Sequence, residues 1–286
     1  MTILDSLINY LFWIIVIFLF VLEGKLNDHL LILTGLGLSL LIAYLAFFLN
    51  WITLDATKAV IILGTITFGF GGIWPALALI FFFLSSSLIT RNKRLDVIVN
   101  GSVPLRSDDP FHNSRRDGYQ VWANGFWVAV FCLAWFQFEM DFLLLAVYGA
   151  IAAATADTWA TELGTRKKGH TRLITTFKKV DPGTDGGISF TGTLASAVGS
   201  IAVASLLLII PDPYDLNVAV IVAISGFVGS IADSYMGAIF QTQNVQLFKS
   251  DRIVGRDAML KNCLVNWLAT GIGGLITLIT IKIMTL

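Results

Sequence analysis

Hydrophobic positions along this chain come in runs too long and too unbroken for a soluble fold. Nine stand out: Leu7–Leu22, Leu30–Phe48, Ala59–Phe70, Ile73–Ile89, Val121–Phe138, Phe142–Trp159, Ile188–Ile210, Val218–Phe240 and Met259–Met284. A helix crossing a bilayer needs about 20 apolar residues, within a range of about 17–25. The pattern predicts an all-α fold, a polytopic integral membrane helical bundle of about nine transmembrane helices. The third run is the weakest, being short and ending in Gly69, Gly71 and Gly72. It reads either as a full crossing or as one arm of a re-entrant hairpin with the fourth. No linker divides the chain. Residues 1–286 read as a single integral membrane domain, with 1–58 as accessory N-terminal helices and 59–286 as the core.

The polar interruptions orient the runs. Loop 90–120 holds Arg91, Lys93, Arg94, Arg106, Arg115 and Arg116, loop 160–187 holds Arg166, Lys167, Lys168, Arg172, Lys178 and Lys179, and loop 241–258 holds Lys249, Arg252 and Arg256. The intervening loops near Glu139–Asp141 and Pro211–Asn217 hold no Lys or Arg. Cytoplasmic loops collect positive charge, so nine crossings put the N-terminus inside and the C-terminus outside. A re-entrant third run would flip the preceding helices.

Composition agrees. Only 13% of residues are charged and 56% are hydrophobic, against about 25% charged in a soluble domain; mean hydropathy is +0.79. Net charge is zero, from 19 basic and 19 acidic residues, so the loop asymmetry is the informative quantity. Cys132 and Cys263 both lie in apolar runs and give neither a disulfide framework nor a zinc spacing. His29, His112 and His170 are scattered over separate loops.

Carboxylates inside the runs carry the chemical signal. The sixth run ends Ala156-Asp157-Thr158-Trp159, and the eighth contains Ala232-Asp233-Ser234-Tyr235. Both runs go from outside to inside, so each brings an Asp, a hydroxyl and an aromatic ring to the cytoplasmic half. This weak repeat suggests duplicated helix pairs, the fifth with the sixth and the seventh with the eighth. An ionised carboxylate in a bilayer costs on the order of 2.5–3.5 kcal/mol and usually faces the interior with a partner. Helix packing through small residues accounts for one such Asp; two at one depth suit a shared cation. Oxygen ligands favour magnesium, which binds one or two carboxylates together with substrate phosphates. The expected metal set is Asp157, Asp233 and Glu162, and the same three are the expected catalytic residues.

Three further motifs border these acids. Lys178-Lys179 precedes Pro182-Gly183-Thr184-Asp185-Gly186-Gly187, which leads into the seventh run. Successive amides before a helix form an anion site, so Thr184, Asp185, Gly186 and Gly187 read as a phosphate cradle; an ordinary capped turn is the plainer alternative. Arg115 and Arg116 open the fifth run, which carries Gln120 and Asn124 on one face. Asn262 and Asn266 repeat that spacing in the ninth, and Gln241 follows Asp233. These amides read as the lining of a polar cavity, or as interhelical hydrogen bonds. The Ser85-Ser86-Ser87 cluster reads most simply as packing.

Together these pieces resemble a known family. Phe68-Gly69-Phe70-Gly71-Gly72, Arg116-Asp117-Gly118-Tyr119-Gln120-Val121-Trp122-Ala123-Asn124-Gly125, Asp157-Thr158-Trp159-Ala160-Thr161-Glu162-Leu163-Gly164, Pro182-Gly183-Thr184-Asp185-Gly186-Gly187-Ile188-Ser189 and Asp233-Ser234 with Gly237-Ala238 and Gln241 are similar to motifs of the transmembrane-protein-19-like family, formerly domain of unknown function ninety-two. The similarity runs from about residue 60 to the end. Gly118 and Tyr119 depart from the Ala and Trp frequent there. The family includes phytyl-phosphate kinase, and the Asp157–Gly164 element also looks like one found in CTP-dependent dolichol and phytol kinases, which would put Asp157 at a metal–nucleotide site.

The resemblance implies a membrane kinase that moves a phosphoryl group from a nucleoside triphosphate, CTP among the candidates, to an isoprenoid monophosphate such as phytyl or geranylgeranyl phosphate. Arg115, Arg116, Lys178 and Lys179 would neutralise phosphates, and Asn124, Asn262 and Asn266 would orient them. The expected partners are the nucleotide, the isoprenoid phosphate and membrane lipids, with no nucleic acid and the oligomeric state left open. The alternative is a transporter of an anionic or lipid-phosphate substrate.

Overall fold

The computed structural model describes residues 3–99, 115–166, 171–212, 214–240 and 254–285. Nine helices form among them: α1 Ile3–Leu22, α2 Leu26–Phe48, α3 Leu54–Gly69, α4 Ile73–Val99, α5 Gly118–Phe138, α6 Asp141–Gly164, α7 Phe190–Ser205, α8 Leu216–Phe240 and α9 Val254–Met284. Seven of these, all but α1 and α3, are long and apolar enough to cross a membrane by length and composition. Each apolar run of the sequence therefore became a helix, although several ends moved. α4 continues through the polar residues after Ile89 to Val99. α7 begins later than Ile188, because Gly187–Ile188 forms β2 and pairs antiparallel with β1, Arg172–Leu173. Ser189 then caps α7 by accepting a hydrogen bond from the Gly192 amide at 3.2 Å.

The helices run alternately up and down. At one end the α2 C-terminus meets α4, where Arg91 donates to Leu49 O. α4 meets α6, where Arg166 donates to Ile89 O. At the same end α3 and α5 begin side by side, with the Thr53 amide on Arg116 O at 3.0 Å. Gly164 at the close of α6 meets Ser189 at the start of α7, Oγ to carbonyl, at 3.2 Å. This end carries Arg91, Arg115, Arg116, Arg166, Arg172, Lys178 and Lys179 and is called the basic end below.

α3 crosses the whole bundle despite its 16 residues, a length of about 24 Å at 1.5 Å per residue. Its far end delivers Phe70 edge-on to Phe136, at 4.9 Å, close to the end of α5. α3 therefore runs from the basic end to the far end of α5, and α4 returns beside it, which is the alternating order that a full crossing requires. α1 is tied in at the basic end, where Trp122 Nε1 donates to Asn9 Oδ1 at 2.8 Å and Phe12 stacks on Trp122 at 4.7 Å.

α6 is the hub, packing on α4, α5, α7, α8 and α9. Every residue from Leu145 to Ala156 is buried. Lipid tails are as apolar as side chains, so small residues and close backbones hold such a bundle together. A methyl group added at Gly149 would come 2.7 Å from Gly273 O in α9, and one at Gly229 in α8 would come 2.7 Å from the Ala153 methyl.

Candidate functional site

The close approach of α8 to α6 sets up the site. One to two turns before the acidic positions, Gly226 and Gly229 lie against Ala152 and Ala153. The two helices then run parallel toward the basic end and deliver Asp157 and Asp233 to one place. Their carboxyl groups are within hydrogen-bonding reach of each other. Both side chains keep part of their surface open. Two carboxylates this close do not both stay ionised alone; they share a proton or a cation.

The loop before α7 folds over the pair. Gly186 has φ of +75°, and an added Cβ there would lie 2.6 Å from the backbone of Ala238, one turn beyond Asp233. Glycine is required twice, for the left-handed angle and for contact with α8. Asp185 is thereby held near enough for its charge to act on Asp233. The turn also corrects one expectation. The Thr184 amide is bonded to Asp181 O at 3.1 Å and the Gly187 amide to Thr184 O at 2.8 Å. A cradle made of all four amides is therefore not available, because the turn uses two of them to close itself. Lys178 and Lys179 are exposed on the adjoining hairpin, where the Lys178 carbonyl accepts from the Leu173 amide at 2.9 Å.

Glu162 is placed differently from the two aspartates. Its Oε1 accepts from Thr90 Oγ1 of α4 at 2.9 Å, and its charge acts on Arg116. Trp159 makes a second link to α4, Nε1 to Ser85 Oγ at 3.3 Å, so part of the serine cluster braces the site helix. Among the described residues, no three His, Cys, Asp or Glu side chains gather to enclose a metal ion. A set of two carboxylates still fits magnesium, which is commonly completed by water and substrate phosphate.

The inward amides do not share one cavity. Arg116, Gln120 and Asn124 line a separate apolar cavity between α2, α3, α4 and α5. Asn262 is exposed near the start of α9 and Asn266 is half-buried; neither lines that cavity. Asn124 Nδ2 donates to Gln120 O at 3.0 Å. Arg115 is half-buried beside Arg116. Gln241, together with Lys249 and Arg252, lies outside the described residues.

Asp55 is a residue that sequence reasoning passed over. Its Oδ2 accepts from the Gly118 amide at 3.1 Å, so it caps α5 from α3. The spacing Thr53-x-Asp55 at a helix start was the available signal, and Thr53 Oγ1 does donate to Asp55 Oδ1.

Comparisons with known proteins agree with the bundle. The family described as "Integral membrane protein DUF92" matches residues 37–274. An uncharacterized membrane protein of Methanocaldococcus jannaschii is 32% identical over 216 residues, covering 75% of this chain and 79% of that one. Protein PGR of Arabidopsis thaliana is 29% identical over 232 residues, covering 71% of this chain and 77% of that protein. No solved structure matches the chain at a significant level.

Proposed function

The chain belongs to the DUF92 family of integral membrane proteins, and on that premise we propose that it is a membrane-embedded phosphotransferase. It moves the terminal phosphoryl group of a nucleoside triphosphate onto an isoprenoid monophosphate and forms the diphosphate. The observation that carries this reading is the meeting of Asp157 and Asp233 from parallel helices at the basic end. Such a pair suits a divalent ion that collects anionic reactants.

Both reactants are anions, so the protein's task is alignment and neutralisation of charge. Asp157 and Asp233 would hold magnesium, which supplies charge neutralisation at the transferring phosphoryl group. The acceptor's phosphate oxygen is already ionised at neutral pH and needs no general base. It attacks the terminal phosphorus, a new P–O–P bridge forms, and the bond to the departing nucleoside diphosphate breaks. Arg115, Arg116, Lys178 and Lys179 at the basic end supply positive charge around the reactants, and the loop at Gly186 closes over the aspartates. Collection of Lys and Arg on cytoplasmic loops supports a cytoplasmic active face.

Carrier action is less well supported, because the far half of α6 is almost entirely buried and carries Tyr148 as its one polar side chain between Phe142 and Ala152. The test is direct. Purified protein with magnesium and either CTP or ATP should convert phytyl or geranylgeranyl phosphate to the diphosphate. A folded protein that yields no diphosphate with any nucleotide or chain length overturns the proposal.

A further inference from the structure

A cavity with an open mouth lies between α2, α3, α4 and α5. Its walls are mostly apolar, including Ile42, Val60, Leu63, Leu79 and Ile80. At the end nearest the start of α5 it turns polar, with Arg116, Gln120 and Asn124.

Arg116 is the unusual member. Its backbone is fully used, the amide donating to Trp51 O at 2.9 Å and the carbonyl accepting from Thr53. Its guanidinium lies over Phe82 and Phe83, 5.1 and 5.9 Å from the ring centroids. Ring faces attract the cation but accept none of the five N–H bonds that a guanidinium offers in its plane. Among the described residues, no carboxylate pairs with it and no acceptor bonds it. Glu162 pulls on it only through its charge, with one Oε1 already held by Thr90. The group is packed deep among protein atoms, and burial drives its pKa down to about 10 against the opposing pull of Glu162; it is still charged at neutral pH. It nonetheless keeps some open surface, as a side chain facing a cavity does. A buried cation with idle donors is costly unless something anionic completes it.

We propose that this cavity holds the hydrocarbon chain of an isoprenoid monophosphate, with the phosphate paired to Arg116 and its fork of N–H donors. One polar end and one apolar barrel fit a single chain with an anionic head. Gln120 and Asn124 stand beside the head position. Glu162, whose charge acts on Arg116, sits on α6 five residues after Asp157, about 7.5 Å along the axis, so the head position and the aspartate pair belong to the same end of the bundle. As an acceptor site this rests on the phosphotransferase reading; as a binding site it does not.

The experiment is binding without turnover. Full-length protein in phosphatidylcholine nanodiscs, free of nucleotide and magnesium, is titrated with radiolabelled geranylgeranyl monophosphate. Saturable binding is expected. Arg116→Gln should weaken it at least tenfold, and Arg116→Lys should recover part of the loss. Ile80→Trp, which fills the apolar barrel, should weaken it as much while Arg116 stays in place. Geranylgeraniol, lacking the phosphate, should compete poorly. Unchanged affinity in folded Arg116→Gln and Ile80→Trp proteins overturns the site. Displacement of the label by phosphatidylglycerol as readily as by unlabelled geranylgeranyl phosphate also overturns it, in favour of bulk anionic lipid. If Arg116→Gln does not fold, the Ile80→Trp variant and the phosphatidylglycerol competition decide. Arg116-dependent binding with no diphosphate made by any nucleotide would keep this site and remove the kinase. Diphosphate formation with KM unaltered in both variants would keep the kinase and remove this site.

Discussion

At the scale of single residues, Asp157 and Asp233 are interdependent, because each carboxyl is the other's neighbour. Asp157→Asn and Asp233→Asn should each lower kcat by at least about 100-fold, since changing groups that only support a metal ligand already costs about 10–100-fold. A neutral amide keeps the shape, so circular dichroism and the unfolding midpoint should hold steady while turnover collapses. Asp55 carries a different expectation, one of stability. Burial pushes its carboxyl up from the ordinary 3.8, but bonds from Thr53 and the Gly118 amide outweigh that and leave it lowered. A carboxylate held below its unfolded value stabilises fully above that unfolded value, and the contribution fades as pH falls through the lowered one. Asp55→Asn should therefore cost about 1 kcal/mol near neutrality. The gap from the parent should shrink below about pH 4, as read by unfolding midpoints across pH.

Among the elements, the helices were legible and the turns between them were not, for a physical reason. A membrane helix announces itself by an unbroken apolar run, and α2, α5, α6 and α8 lie within a few residues of where hydrophobicity put them. The two-residue strands β1 and β2 are too short to leave any periodicity. The polar last turns of α4 carry no membrane signal. The same distinction runs through the site. Both aspartates were visible because charge is conspicuous in an apolar run. That the Thr184 and Gly187 amides are spent inside their own turn depends on which carbonyl each meets, which spacing does not encode. Nor does spacing reveal that Gln120 and Asn124 face a different space from Asn266. The Gly186 turn offers the sharpest test at this scale. Gly186→Ala must accept a positive φ and push on Ala238, costing about 1–3 kcal/mol. A fall in the unfolding midpoint with turnover reduced further is expected; an unchanged midpoint would show that the loop does not rest on α8.

For the whole molecule, the alternating order places the candidate site residues described above at one end. The acidic pair, the Gly186 turn, Glu162 with Thr90, and Arg116 belong to the ends of α4, α6 and α8 and the starts of α3, α5 and α7. The opposite half combines large buried side chains such as Phe70, Tyr148 and Leu207 with close seams between small residues, as at Gly149 against Gly273. Enlarging that seam tests the hub: Gly149→Leu should lower stability by about 1–3 kcal/mol through overpacking, and detergent-solubilised protein should show this as an earlier melting transition.

The burial of α6 from Leu145 to Ala156 has a consequence for the membrane itself. Beyond Asp157, on the way from the basic end, α6 offers side chains that are buried and mostly apolar. Liposomes carrying the protein should hold an imposed pH gradient as long as empty ones, whether or not nucleotide and lipid phosphate are supplied. On the phosphotransferase reading proposed above, what enters goes back out on the same side or slips sideways into the bilayer, as from a cup.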